Sequence, residues 1–371
     1  MRIVHVARQF PPGIGGIEEV VACLAQAQAA AGHCVRVVTL DRIFADPARR
    51  LAPRETVAGV DVRRLPFAGS TRYPLAPQAL GHVRDADIVH VHAVDFFFDY
   101  FAATAPLHRK PMVATTHGGF FHTKAHAGLK KIWFDRITRL TARAYRTLVA
   151  CSQADFDLFA PLRHPDLKII ENGVDVEKFA GAGARAPVKS LVTVGRFSVN
   201  KRLDRLLDAF AALVACEPGW RLSIAGAESD WNAERLAREI VQRGLGEHVR
   251  VHVRPSNAEI AEVLRQARLF VSASEHEGFG VSLIEAMSAG LSCVVEGNAA
   301  FRAFAARHAD IALADFTHPR MAAQAILDAH ARLERDNEAL RARAIAQAQL
   351  YAWPGVARRY LDVYETARSR G

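Results

Sequence analysis

The 371-residue sequence has no apolar run approaching membrane-spanning length, so no segment reads as a transmembrane helix. Paired cysteines are also missing. Cys23, Cys34, Cys151, Cys216 and Cys293 are scattered, without CxxC spacing and without a Cys-His cluster. That excludes a disulfide framework and a cysteine-bound metal, and the five are expected to be reduced core residues of a cytoplasmic protein. The opening Met1-Arg2-Ile3-Val4-His5-Val6 is strand-like rather than a secretory leader. Zinc-finger spacing and aromatic RNA-binding strands are lacking, so no nucleic-acid module is recognisable and none is expected as a partner. Acids are nearly missing from one region: residues 108–146 hold nine Lys or Arg and one acid, Asp135.

What is present suits two globular domains. The chain is 50% hydrophobic and 23% charged, enough for each domain to bury a core. Net charge is +9 and uneven: residues 1–186 hold 24 basic against 17 acidic residues, residues 187–371 hold 24 against 22. A local basic excess of this kind attracts anionic lipid or a phosphorylated substrate. Within it, residues 129–146 pattern as an amphipathic helix. Leu129, Ile132, Trp133, Ile137, Leu140 and Ala144 mark one face; Lys131, Arg139, Arg143 and Arg146 mark another. A basic face beside Trp133 suggests contact with a membrane surface or a lipid diphosphate, and a solvated domain-surface helix is the plainer alternative.

Strand and helix patterns alternate along the whole chain, predicting α/β architecture with parallel sheets. Strand Ile3–Ala7 runs into a glycine-rich loop containing Gly13, Gly15 and Gly16, then a helix. Glu18 stands where a dinucleotide fingerprint needs its last glycine, so that cofactor fits poorly. Asp85-Ala86-Asp87 matches a metal-binding D-x-D on paper but precedes its strand, and reads as turn chemistry. Phe96–Phe101 reads as a core helix. His117, followed by Gly118 and Gly119, lies just past strand Pro111–Thr116, where open α/β sheets bind ligands; His122 is a second candidate. In the second half, Arg196 and Lys201 sit on the loop after strand Ser190–Gly195. Two cations there can clamp a diphosphate. Backbone near Val253 and Arg254, at another strand end, is a candidate for a nucleotide base.

One stretch draws these together. Strand Leu269–Ala273 feeds a loop carrying Glu277, Phe279 and Gly280, and a helix then begins through Val281, Ser282 and Leu283 to Glu285. A helix start offers unpaired N–H groups to phosphate or sugar oxygens. The loop carboxylate suits sugar hydroxyls and the helical one a second polyol such as ribose. An ordinary αβ unit with two solvated glutamates is the competing reading of these residues taken alone.

Glu277 and Glu285 around Gly-Phe-Gly and before Glu-Ala-Met resemble the E-x7-E signature of retaining glycosyltransferases of family 4. Arg196 and Lys201 resemble that family's G-R-x4-K pattern, Gly15-Gly16 its glycine loop, and Glu171-Asn172-Gly173-Val174-Asp175 the segment before its interdomain linker. The resemblance implies a GT-B fold: two Rossmann-like doubly wound domains facing a central cleft. Residues 1–180 would bind acceptor, Gly181–Pro187 would link, residues 187–354 would hold the nucleotide-sugar, and the final helix, 355–371, would cross back to the first domain. It also implies that His117 hydrogen-bonds the transferred sugar rather than abstracting a proton, and that no metal or other cofactor is needed. The His117–Thr123 segment and the first domain look most like mannosyltransferases of xanthan- and acetan-type exopolysaccharide assembly. Those transfer an α-1,3-mannose from GDP-mannose to a cellobiosyl-diphosphopolyprenol. On that likeness the protein is expected to work at the inner face of the cell membrane, with His122, Lys131, Trp133, Arg139 and Arg143 near acceptor or lipid. A family-4 transferase with another donor such as UDP-glucose, or a nucleotide-sugar epimerase of the same fold, are the alternatives.

Overall fold

The computed structural model describes residues 1–13, 15–71, 73–118 and 133–369. The chain forms two compact units. One comprises Met1–Gly173 with Trp353–Gly371, the other Val174–Ala352.

The first unit is built on an eight-stranded sheet. Its strand order is Leu167–Ile169, Thr147–Ala150, Met112–Thr115, Ile88–His92, Arg2–Val6, Cys34–Leu40, Val60–Leu65, Arg54–Val57. All neighbours are parallel except the last pair, an antiparallel hairpin. Arg2–Val6 pairs with Cys34–Leu40 on one side and Ile88–His92 on the other. Strand order reverses there, and such a switch point opens a crevice at the carboxyl ends. Both sheet faces are covered, which is why these strands read as nearly continuous apolar runs. Helix Phe96–Ala103 buries Phe96, Phe97, Phe98 and Phe101, and its Asp95 cap accepts from the Phe97 N–H. The aromatic cluster is therefore core. The final helix, Trp353–Ser369, buries Val356, Tyr360, Val363 and Tyr364 in one cluster with Val21, Leu24 and Ala25 of helix Gly16–Ala30.

The second unit carries a six-stranded parallel sheet in the order Val249–Val253, Arg221–Gly226, Ser190–Val194, Leu269–Ser272, Ser292–Glu296, Ala312–Ala314. Its switch point falls between Ser190–Val194 and Leu269–Ser272. The strand ends crowd closely: a Cβ on Gly226 would lie 1.8 Å from the Gly195 carbonyl oxygen.

Several expectations need correction. Gly181–Pro187 is not a free linker. Gly181 N–H bonds Ser288 O, Gly183 N–H bonds Ala289 O, and Ala184 N–H bonds Ala267 O, each within 2.9 Å. The buried Arg341 guanidinium adds to this by donating to the Gly181 and Gly183 carbonyls. These bonds fasten the segment to the second unit, and the chain divides earlier, at Gly173/Val174. The helix expected over 129–146 is described only from Trp133. It runs through a wide π-type turn, Phe134–Thr138, to Ala142. The buried face falls on Phe134, Thr138, Ala142 and Tyr145, and Trp133 and Leu140 are exposed. Cys34 and Cys216 are on the surface rather than in the core, and none of the five cysteines is in a disulfide. Asp85 grips Arg36 at 2.8 Å and Asp87 accepts from the Arg2 N–H at 2.7 Å, so the D-x-D pair is spent on structure. No helix among the described residues is long and apolar enough to cross a membrane.

Arg268, fully buried just before the strand Leu269–Ser272, is the polar brace of the second unit. It donates to Gly290 O at 2.6 Å and to Asn337 Oδ1 at 2.7 Å, and burial pulls its guanidinium down to about 10. Arg268→Ala strands the buried Gly290 carbonyl, releases Asn337 and leaves a cavity. Equilibrium denaturation should show a loss of about 3 kcal/mol; a change below about 0.5 kcal/mol would contradict the bracing role.

Candidate active site

The second unit brings its sequence-predicted residues together at the switch point. Gly195-Arg196 leaves one central strand and Glu275–Glu277 follows the other. Lys201 Nζ donates to Glu277 Oε1 at 2.6 Å. Asn200 ties the same two loops by accepting the Glu275 N–H at its carbonyl (2.8 Å) and donating its side-chain amide to His276 O (3.1 Å). Arg202 adds a 3.3 Å contact to Glu275. Arg196 is exposed and has no carboxylate partner among the described residues. Lys201 and Arg196 line a small hollow with Thr193, Ser272 and Ser274.

The helix Val281–Ser288 starts where the motif requires. Gly280, its N-cap, has φ +98°, a left-handed conformation that a side chain strains. A Cβ there would also press on Phe301 at 3.1 Å. Among the described residues nothing accepts from the Val281 or Ser282 N–H, so this helix start presents two free donors. Leu283 is a correction. Its N–H already bonds Gly280 O at 3.0 Å and its side chain is buried. Phe279 is another, because its ring packs against Phe304 and Tyr351 and serves as an anchor for the loop. Glu285 pairs with Lys178 Nζ at 2.9 Å and, with Ser282, borders a second hollow walled by Phe179, Val194, Ile260 and Leu264. Val253 and Arg254 stand apart. They end the edge strand, two strands from Ser190–Val194, and Arg254 reaches Glu228 at 3.6 Å.

In the first unit His117 sits past the strand Met112–Thr115 with φ +51°. Asp155, buried, braces this bend: its carboxylate accepts from Thr116 Oγ1 at 2.6 Å, Cys151 N–H at 2.9 Å and Gly118 N–H at 3.0 Å. The His117 ring has both nitrogens occupied. Nε2 lies 3.0 Å from His92 Nδ1 and Nδ1 lies 3.5 Å from Cys151 Sγ. A sugar hydroxyl reaches that ring only by displacing one of these, and the long thiol contact is the weaker. Burial lowers His117 to about 4, so the ring is neutral near pH 7. His5, His90 and His92 place ring nitrogens close enough together to hold a metal, yet each of those nitrogens is already in a hydrogen bond. Gly15 caps the helix Gly16–Ala30 in extended conformation, and the space where a Gly16 Cβ would sit is open. At the sheet's switch point Arg8 pairs with the buried Asp95 at 2.8 Å. His122 and Lys131 lie outside the described residues. Trp133, Arg139 and Arg143 are exposed, and Arg139 and Arg143 border an open, mainly basic hollow with Asp135, Arg136 and Leu140.

Reading the sequence missed Lys178, Asp155, Cys151 and His92. His92 carried a signal, since His90-Val91-His92 places two rings on one face of a buried strand. The others become partners only through contacts distant in sequence.

Two doubly wound units with candidate groups at their strand ends define a GT-B transferase scaffold. Solved structures agree: a glycosyltransferase from Rickettsia africae ESF-5 superposes with TM-score 0.72 at 15% identity, covering 99% of this chain and 98% of that one. A sucrose-phosphate synthase from Thermosynechococcus elongatus gives 0.67 at 18% identity over 100% of both chains. Residues 14–178 match the Glycosyltransferase Family 4 domain and residues 177–350 the Glycosyl transferases group 1 domain. The chain is 44% identical to the GDP-mannose:cellobiosyl-diphosphopolyprenol alpha-mannosyltransferase of Xanthomonas campestris, over 99% of this chain and 97% of that one. It is 40% identical to the protein of that name from Komagataeibacter xylinus, over 100% of this chain and 94% of that one. The chain belongs to the family-4, group 1 glycosyltransferases.

The buried histidines make the fold acid-sensitive. Burial holds His5 at about 4, and His90 and His92 well below 6.5. An unfolded ring takes its proton near 6.5, so between about 6.5 and 4 the unfolded chain binds more protons and stability falls as pH drops. Above that window the contribution is whole. His5 alone accounts for about 3 kcal/mol by pH 4. Asp95, raised to about 6 by burial, works in the opposite sense over about 6 to 4 and offsets one ring. Denaturation at pH 7.5 and pH 5 should show a clear net loss at the lower pH; equal stabilities would contradict it.

Proposed function

We propose that the protein is a retaining mannosyltransferase, moving an α-mannosyl group from GDP-mannose to a cellobiosyl-diphosphopolyprenol in exopolysaccharide assembly. The observation that carries this reading is the 40–44% identity, over nearly the whole of both chains, to proteins of that printed name. The geometry of the second unit supports it. The GDP diphosphate takes Lys201 from Glu277 and gains the unpaired Arg196 and the Val281 and Ser282 N–H groups. Glu277, released, accepts hydrogen bonds from mannose hydroxyls. In the same way Glu285 exchanges Lys178 for ribose hydroxyls. As the C1–O bond breaks, negative charge grows on the leaving diphosphate, and fixed cations and N–H groups there lower the barrier. Retention follows from attack on the face the diphosphate leaves, with that phosphate taking the acceptor's proton. No glycosidase-type carboxylate pair is needed, and these groups supply the charge stabilisation without a metal.

The purified protein, given labelled GDP-mannose and cellobiosyl-diphosphopolyprenol, should place label in the lipid fraction in an α-mannosidase-sensitive form. Transfer from UDP-glucose alone, or epimerisation without acceptor, would overturn the reading. Lys201→Ala should lower kcat roughly 100-fold, about 3 kcal/mol of barrier, and undiminished turnover would remove its assigned role.

The first unit's exposed Trp133 and Leu140, set among Arg136, Arg139 and Arg143, support peripheral contact with an anionic membrane. An apolar tip within a basic field gains both insertion and charge attraction. Arg139→Glu with Arg143→Glu should markedly reduce co-sedimentation with phosphatidylglycerol vesicles. Unaltered co-sedimentation would place the contact elsewhere.

A further inference from the structure

The first unit contains an unbroken hydrogen-bond chain, buried over most of its length, that runs through His117 to Cys151. Cys151 Sγ lies 3.5 Å from His117 Nδ1, His117 Nε2 lies 3.0 Å from His92 Nδ1, and His92 Nε2 lies 2.9 Å from His5 Nδ1. His5 Nε2 then lies 2.7 Å from Gln28 Oε1. Gln28 Nε2 donates to the Tyr364 hydroxyl at 3.2 Å, and that hydroxyl lies 2.6 Å from His90 Nδ1. His5, Gln28, His90 and Tyr364 are wholly buried. Two helices, Gly16–Ala30 and Trp353–Ser369, thus reach the strand-end histidine through side chains alone.

Such a chain has only two states. A neutral imidazole carries one N–H and one bare nitrogen, and burial keeps these rings neutral. Each ring's proton therefore dictates the next. With the Gln28 carbonyl toward His5, the proton sits on His5 Nε2, then on His92 Nε2, then on His117 Nε2. With the amide reversed, every proton moves to the other nitrogen. Cys151 is compatible with the first state. Burial pushes its thiol up so that it stays protonated. With the Gln28 carbonyl toward His5, that S–H meets a bare His117 Nδ1.

We propose that Gln28 is a positioning residue for His117: accepting from His5 Nε2–H, it fixes through His5 and His92 the tautomer with the proton on Nε2 and a bare, accepting Nδ1. This rests on the reading of His117 as a substrate-contacting residue. In that tautomer a substrate hydroxyl donates to Nδ1, displaces the weak thiol contact, and keeps its own lone pairs for other donors. The reversed tautomer would present an N–H instead and take up a lone pair of the hydroxyl.

The test is a ¹⁵N-histidine NMR spectrum of the full chain together with mannosyl-transfer kinetics, in wild type, Gln28→Leu and Gln28→Glu. Wild type should show His117 protonated on Nε2. Gln28→Leu removes the anchor, so His117 should become a mixture of tautomers, with kcat roughly tenfold lower (a factor of about 1.4 kcal/mol) and KM for GDP-mannose within about twofold. The carboxylate introduced by Gln28→Glu only accepts, so that variant should restore the Nε2–H signature and most of the lost kcat. A bare Nε2 in wild type overturns the proposal, as does an unaltered His117 spectrum or kcat in Gln28→Leu. If Gln28→Leu does not fold, the wild-type and Gln28→Glu spectra decide. If the spectra behave as stated while GDP-mannose gives no transfer in wild type, the substrate reading falls and the tautomer control stands.

Discussion

The ion pair between Lys201 and Glu277 is the contact on which the second unit's site depends. It joins two loops 76 residues apart in sequence, each leaving one of the two central strands. Parallel topology makes this possible, because a reversal of strand order leaves adjacent loops diverging to opposite faces with a crevice between them. The pair holds the loops at a fixed spacing and keeps both charges satisfied in the unliganded protein. Under the proposed function a diphosphate-sugar would replace both halves at once, offering anionic oxygens to the lysine and hydroxyls to the glutamate. The Lys178–Glu285 pair repeats the arrangement on the helix that follows.

Much of this was legible in residue order. Arg196, Lys201, Glu277 and the glycine that starts the helix at Val281 occupy strand ends, and strand ends are readable from apolar runs followed by glycine. The family resemblance then tied them to one ligand. What could not be read depends on contacts distant in sequence or on small shifts of phase. Nothing near Lys178 announces that it meets Glu285. The buried stripe after Trp133 falls one position from the expected one, on Phe134, Thr138 and Ala142, which leaves Leu140 in solvent. Gly181–Pro187 has linker composition, but the Arg341 guanidinium arrives from far along the chain and captures its carbonyls. Phe279 lay between two functional positions, yet its ring belongs to the packing of Phe304 and Tyr351.

The first unit works by a different constraint. Where the second keeps charges paired near the surface, the first buries neutral rings in series. His117 is bent into a left-handed conformation, and the Asp155 carboxylate, with three donors bound, holds it there. Both arrangements store geometry before any substrate arrives, so little reorganisation is left for the reaction step. Burial of the rings also explains why His117 suits hydrogen bonding rather than proton abstraction: a ring held at about 4 is a poor base at neutral pH.

The exchange of partners at Lys201 is the central claim, and a structure determined with GDP bound tests it most directly. With GDP bound, Lys201 Nζ should lie about 2.8 Å from a diphosphate oxygen, with Glu277 released. A Lys201–Glu277 pair left intact while the diphosphate binds elsewhere would contradict it.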